Sequence, residues 1–349
     1  MTPWCGNSPK VGLSDSEKVE GQVRLNTTYG NNLGGVMSLL VHELGYIAIG
    51  TPDLSRSARF LEDICQLEVS EERGGVIFMR GDDRHHWVRL ENRELPGVIR
   101  VGYRATDKEG LEEIGCRLDD RGIARLPGGT IAEDRVANAF RFRDPNGIEV
   151  ELYEEMVEFP VPRRATGVDL KLLLHAVFFV NDVIATRDFW HDVLDFRRSD
   201  QIEDISVFMR CGNRYHHSVG FMRGASDPGT LHHLCILTND IDDVVRMRNV
   251  AQRASVPIEH ELVRHAASGS IGTYMHAELL GTGIEYCVGH GQLNDDDGGR
   301  LLLASPSTVN VWNALPNVPI AHDAADGAPG FIQGVGYVDD PQGVRAQIT

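Results

Sequence analysis

The sequence predicts an α+β protein made of four βαβββ modules that pair into two similar domains. Three observations carry this expectation. An apolar strand ending at an Asp recurs as LGYIAIGTPD (residues 44–53), LHAVFFVND (174–182) and LHHLCILTND (231–240). After Asp53, Asp107, Asp182 and Asp240, apolar residues recur at three- and four-residue spacing, the mark of a helix with one buried face. Two further stretches, FRFRDPNGIEVEL (140–152) and YMHAELLGTGIEY (274–286), align without gaps so that Gly147 falls on Gly281 and Glu151 on Glu285.

Residues 1–36 are polar, Gly/Asn-rich and aperiodic, and read as a poorly ordered extension. Regular patterning starts at Met37, which also reads as an alternative start, and a first domain is expected over 37–160. Its units begin near Leu44 and Ile99, with helices in DLSRSARFLEDIC and DKEGLEEIGCRLDDRG, each opened by an Asp suited to accept orphan backbone N–H groups. DPNG predicts a tight turn between two strands. A second domain is expected over 170–292, its units beginning near Leu174 and Leu231, with helices in DVIATRDFWHDVL and DIDDVVRMRNVAQRA. Its last hairpin keeps the Gly but has Glu278-Leu279 in place of Asp-Pro. From NDDDGG onward the pattern dissolves, and 293–349 read as a Pro-rich tail wrapped over a domain surface through Val311, Trp312 and Leu315.

The 349 residues are 42% hydrophobic and carry a net charge of −17, which argues against nucleic acid and anionic membrane surfaces as partners. Six cysteines lie scattered without a CxxC pair, as expected of reduced thiols in the cytoplasm. MTPWCGNSPK lacks an apolar signal core, and no apolar run reaches the ~18 residues of a membrane span. Strand edges and an acidic surface are compatible with a homo-oligomer. No Gly-rich dinucleotide motif is present.

The repeats differ where chemistry is concerned. Seven residues before the closing Asp stand Tyr46 and Arg100 in the first half but His175 and His233 in the second, and each half adds a hairpin glutamate, Glu151 or Glu285. Two imidazoles and a carboxylate on three strands are the donor set of a facial triad for non-heme Fe(II). The first half cannot hold a cation beside Arg100, so Glu151 reads as a remnant of the site. Most histidines need no function: His191, and His85 and His86 in GDDRHH, read as hydrogen-bonded core or surface residues. Strand alternation puts His232 on the face opposite His233, so His232 is not expected to be a ligand. It also puts only one of His216 and His217 inward.

The segments LHAVFFVND, NRYHHSVGFM, LHHLCILTND, RHAASGSIGTY and GIEY resemble type I extradiol ring-cleavage dioxygenases of the vicinal-oxygen-chelate superfamily, over roughly residues 40–290. The resemblance implies Fe(II), or Mn(II), at His175, His233 and Glu285, with a catechol and O2 as substrates. It implies His217 as the acid–base residue, and His265 and Tyr274 as groups that bond the substrate. Departures cluster near Tyr274: Thr273 precedes it, the family's Pro is missing, and its spacing to Glu285 is one residue long. Val177, two positions after His175, is expected in the pocket, where an apolar side chain suits aryl-substituted or bicyclic catechols. Trp190, Phe208 and Met209 are candidates for pocket wall but read first as core. A glyoxalase-type metal isomerase or lyase and a non-catalytic small-molecule binding protein share the fold and are the alternatives.

Overall fold

The computed structural model describes residues 39–314 apart from 165, 225, 295 and 296. The expected N-terminal extension, Leu315 and the remainder of the tail lie outside the described residues. The first module is β1 (Val41–Thr51), α1 (Leu54–Asp63), β2 (Glu68–Arg73), β3 (Val76–Arg80) and β4 (Val88–Asn92). The second is β5 (Gly97–Ala105), α2 (Lys108–Asp120), β6 (Leu126–Pro127), β7 (Val136–Ala137), β8 (Phe140–Arg143), β9 (Glu149–Tyr153) and β10 (Glu155–Met156). The third is β11 (Leu170–Val180), α3 (Val183–Leu194), β12 (Arg197–Ile202), β13 (Ser206–Arg210) and β14 (Val219–Arg223). The fourth is β15 (Leu231–Thr238), α4 (Ile241–Arg253), β16 (Ile258–Arg264), β17 (Ile271–Ala277) and β18 (Thr282–Val288), followed by β19 (Arg300–Leu302) and α5 (Pro306–Val309). None of the described helices is long and apolar enough to cross a membrane.

All four Asp-opened helices form, and each Asp caps its helix. Asp182 Oδ1, for example, accepts from Ile184 N and Ala185 N at 2.9 Å each. The repeated strands become the sheet centres: β1 lies antiparallel to β5, and β11 to β15. Around them run two sheets, in the orders β2-β3-β4-β1-β5-β9-β8-β6 and β16-β17-β18-β15-β11-β14-β13-β12-β19. β7 and β10 pair separately.

Three expectations need correction. The gap-free alignment of the hairpins fails before the turn. Arg141 pairs with Glu151 and Tyr274 with Glu285, so Arg141, not Phe140, is the counterpart of Tyr274. A 3-10 turn over Glu278–Leu280, closed by Gly281 at φ 64°, takes up the extra residue. The segment after residue 291 is also more regular than expected, because β19 adds to the sheet edge parallel to β12. Trp312, expected as a buried apolar anchor of the tail, is 43% exposed.

The halves are packed into one another. Tyr103 of β5 stands edge-on to Trp190 and Phe196 of the second half, at 5.7 and 5.4 Å between ring centroids. The fully buried Trp190 donates Nε1–H to Asp144 of the DPNG turn at 3.1 Å, and Tyr286 donates its hydroxyl to Cys65 O at 2.8 Å. Other bonds reach the loop before β14, which carries His216 and His217. Tyr103 donates to Ser218 O (3.2 Å), and Val41 O and His42 O accept from Gly212 N (2.8 Å) and Asn213 N (2.7 Å). The first half is therefore a buttress for a loop of the second. Trp190→Ala removes both the ring packing and the donor to Asp144. It should lower the unfolding free energy by about 3–5 kcal/mol, read from the midpoint of urea unfolding.

Candidate metal centre and active site

Residues placed at matching register by the central strands converge. His175 Nε2 lies 3.1 Å from His233 Nε2 and 3.1 Å from Glu285 Oε2, and His233 Nε2 lies 3.4 Å from the same oxygen. Three mutually adjacent ligands of an octahedral ion at ~2.1 Å stand ~3.0 Å apart, so this spacing suits a cation between them. All three residues are buried, and neither Glu285 oxygen has a well-directed hydrogen-bond donor. Such a carboxylate is costly to bury without a positive partner. Burial alone would raise the Glu285 carboxyl, but the imidazoles of His175 and His233 outweigh it and hold it well below the usual range. Burial pushes His175 down to about 4, so its imidazole is neutral and its lone pair available near neutrality. The donor set, spacing and unpaired carboxylate fit a divalent metal.

The equivalent place in the first half is filled by protein charge. Tyr46 donates to Glu151 Oε2, and Arg100 Nε donates to Tyr46 Oη at 2.8 Å. Arg141 Nε and Gly129 N donate to Glu151 Oε1 at 2.6 and 2.8 Å, and Asp134 bridges Arg89, Arg100 and Arg141. Burial would lower the Arg100 guanidinium, but Tyr46 and Glu151 more than offset it.

Around the triad is an open-mouthed cavity. His217, His265, Tyr274 and Val177 line it, as does Phe208; Trp190 and Met209 are core. His232 also lines it, contrary to the alternation argument. The register between β11 and β15 shifts from Val177↔His233 to Phe178↔Leu231, so the bulge at His232 turns both histidines to one side. His232 remains outside the triad, its Nδ1 2.6 Å from that of His233.

His216 and His217 precede β14 and lie outside the regular strand, so alternation does not sort them, and both are buried. Their partners assign distinct tasks. Asp200 Oδ2 lies 3.0 Å from His216 Nε2, and His216 Nδ1 lies 3.0 Å from His217 Nδ1. With the carboxylate accepting from His216 Nε2–H, His216 Nδ1 accepts from His217, and His217 Nε2 keeps its lone pair. Arg300 of β19 clamps Asp200 with three bonds of 2.5–3.0 Å. The His217 ring is 4.0 Å from that of His175. Burial first, and then the neighbouring histidines, hold it well below the usual imidazole range, a neutral proton acceptor. His265 Nδ1 bonds Val309 O and its Nε2 bonds Tyr274 Oη, each at 2.8 Å, so the phenol donates to the ring. Burial and then Glu285 raise the Tyr274 phenol well above 10, keeping it a neutral donor. Thr308 and Val309 line the cavity, so the start of the tail covers the site.

Sequence reasoning missed His216, Asp200, Arg300 and His290. A signal existed for the first: HH recurs in GDDRHHW and NRYHHS. The first half repeats the same chain, with Glu71 Oε2 3.1 Å from His85 Nε2, His85 Nδ1 3.2 Å from His86 Nδ1, and Arg135 on Glu71. His290, whose ring is 4.6 Å from that of His217 and whose Nε2 accepts from His217 N (3.4 Å), had no such signal.

The family profile of the Glyoxalase/Bleomycin resistance protein/Dioxygenase superfamily matches residues 43–152 and 172–298, so this chain belongs to that superfamily. Its relatives include extradiol dioxygenases. The chain is 24% identical over 244 residues to the manganese-dependent 2,3-dihydroxybiphenyl 1,2-dioxygenase of Geobacillus genomosp. 3, covering 64% of this chain and 77% of that one. It is 29% identical over 222 residues to the biphenyl-2,3-diol 1,2-dioxygenase of Paraburkholderia xenovorans (strain LB400), covering 58% and 74%. Among solved structures, the fold is shared with a Mn(II)-bound glyoxalase from Novosphingobium aromaticivorans (TM-score 0.71, 22% identity, 78% and 91% covered). It is also shared with BphC, a halotolerant catechol dioxygenase (TM-score 0.68, 22%, 75% and 92%).

A divalent ion that binds only the folded chain should stabilise it. At a free Fe(II) or Mn(II) concentration 100 times its Kd the gain is about 2.7 kcal/mol, visible as a raised melting temperature at one equivalent per chain. Glu285→Gln should abolish the rise. A rise that survives this change would place the ion elsewhere.

Proposed function

We propose that this protein is an extradiol dioxygenase that opens an aryl-substituted or bicyclic catechol beside one of its diol carbons. In this reading, Fe(II) or Mn(II) is held by His175, His233 and Glu285. The observation that carries the reading is the meeting, in one cavity, of that triad with a histidine whose lone pair is free, His217. Bound there, the metal would supply Lewis acidity and a path for electrons from an electron-rich diol to O2.

The protein supplies the remaining steps. His217 accepts a proton from a diol hydroxyl and returns one to oxygen as the ring opens, so protons taken and given are equal. Both oxygen atoms enter the product, and all electrons come from the ring, so no external reductant is needed. Asp200 and His216 keep the His217 proton on Nδ1. Tyr274 and His265 form a neutral hydrogen-bonded pair beside the triad, where Tyr274 can turn its O–H to a substrate oxygen. Val177, Ile202, Ile205, Phe208 and Met222 make an apolar wall suited to a second ring. A glyoxalase-type isomerase shares the fold. However, no Lys or Arg among the described residues lines the cavity to meet the carboxylates of a thiol tripeptide. Cys65, Cys211, Cys235 and Cys287 form no disulfide, in keeping with a cytoplasmic enzyme.

Protein loaded with Fe(II) under anaerobic conditions and given 2,3-dihydroxybiphenyl should, on admission of air, form a yellow product and take up one O2 per catechol. No oxygen uptake with any of several catechols would sink the reading. His217→Phe should retain the metal but lower kcat ~10²–10⁴-fold, whereas His233→Ala should lose the metal. Asp200→Asn should keep the metal and lower kcat about 10–100-fold, as expected for loss of an orienting partner. The converse pattern, metal lost from the His217 variant and kept by the His233 variant, would refute the assignment of roles.

A further inference from the structure

Beyond the triad and the His217 chain, the cavity is lined by a further imidazole with an unpartnered nitrogen. His260 of β16 lines the cavity, and its Nε2 is buried with no hydrogen-bond partner. A buried polar atom left unpaired is a cost that native proteins seldom carry unless something else meets it. The position of His260 is fixed by the ladder. Glu285 pairs with Tyr274 across β18 and β17, and Tyr274 pairs with His260 across β17 and β16. The three therefore form a row across the sheet, and at the usual strand spacing the backbone of His260 lies ~10 Å from that of Glu285. Thr273 Oγ1 donates to His260 O at 3.0 Å and holds the strand in place, and the imidazole meets the Tyr274 ring edge-on at 5.3 Å.

A place two strands from Glu285, in the same cavity, suits the remote ring of an aryl-substituted catechol whose diol lies at the triad. The His232 imidazole and the apolar side chains of Val177, Ile202, Ile205, Phe208 and Met222 line the same cavity. No cationic side chain among the described residues lines the cavity, and Glu285 is anionic, so a carboxylate on the far ring would find no countercharge. Burial pushes His260 down to about 4, so near neutrality its imidazole is uncharged and can bond a neutral oxygen.

We propose that His260 forms a specificity subsite for an uncharged hydrogen-bonding oxygen, a hydroxyl or a carbonyl, on the part of the catechol remote from the diol. The subsite rests on the dioxygenase reading and narrows its substrate class. A hydroxyl matches either tautomer of the ring, because it both donates and accepts. A plain hydrocarbon ring would fill the same space and leave Nε2 unpaired.

The test compares ligands on the metal-loaded protein without oxygen. 2,3-Dihydroxybiphenyl and its congeners with one added hydroxyl at the 2′, 3′ or 4′ position are titrated by calorimetry, and kcat/KM is then measured in air. The wild type should bind at least one hydroxylated congener about tenfold more tightly than the parent, with a similar preference in kcat/KM. In His260→Phe the ratio should fall to about one, while His260→Gln, which keeps a hydrogen-bonding group, should retain part of it. Uptake of one metal equivalent by both variants certifies that they are folded. A wild type that binds the parent with no preference for any congener overturns the subsite and leaves the dioxygenase reading standing. A preference that persists in His260→Phe does the same. Failure of the loaded wild type to bind any of these catechols overturns the dioxygenase reading, and the subsite with it.

Discussion

A carboxylate at the centre of a sheet, shut off from water, must meet positive charge. This constraint shapes both halves of the molecule. Glu151 and Glu285 are both fully buried, each on the strand beside the second of the two central strands. Removing such a charge from water is far more costly than a surface ion pair can offset. In the first half the answer is covalent: Arg100 and Arg141 are built into the chain, and Tyr46 and Gly129 satisfy the remaining acceptor positions. In the second half the same positions carry His175, His233 and Tyr274, all of which can be neutral. A bound cation would supply there the fixed charge that Arg100 and Arg141 supply in the first half. The two halves offer equivalent sites, and the side chains of the second, unlike those of the first, suit a metal.

The scaffold half still bears on the site. Its first strand and Tyr103 hold the loop before β14, so the placement of His217 depends on contacts from residues more than a hundred positions away in sequence. From the other side, Arg300 pins Asp200 and also donates to Ala267 O at 2.7 Å, in the loop that follows His265. His217 and His265 are thus tied to a common clamp at the outer edge of the second sheet. Tautomers are fixed in the same way at both: Asp200 through His216 for one, and the Val309 carbonyl for the other. Proton chemistry in a buried site needs this kind of fixed donor and acceptor pattern, because there is little solvent to correct a wrong one.

Much of this was legible in the sequence for local reasons. An Asp that caps a helix marks the end of the preceding strand, and a strand has only two faces. Counting seven residues back from each Asp was therefore enough to align Tyr46, Arg100, His175 and His233 at one register. Glu151 and Glu285 followed from the glycine in each hairpin. What was not legible depends on departures from regularity or on distant segments. The bulge at His232 and the extra residue in the turn before Gly281 leave no mark in composition, yet each shifts side chains by one position. The partnership of Asp200 with Arg300 spans 100 residues and depends on β19 joining the sheet edge, which a turn-rich acidic stretch gave no reason to expect. The recurring HH pair was visible, but only the shared carboxylate behind it gives the repeat a meaning.

The most direct test of the central claim is anomalous diffraction from crystals grown with Mn(II) or Fe(II) and recorded at the metal edge. The account predicts one peak per chain, within about 2.0–2.3 Å of His175 Nε2, His233 Nε2 and a Glu285 oxygen, with no peak among Tyr46, Arg100 and Glu151. A peak in the first half, or one in the second half away from these three residues, would contradict it.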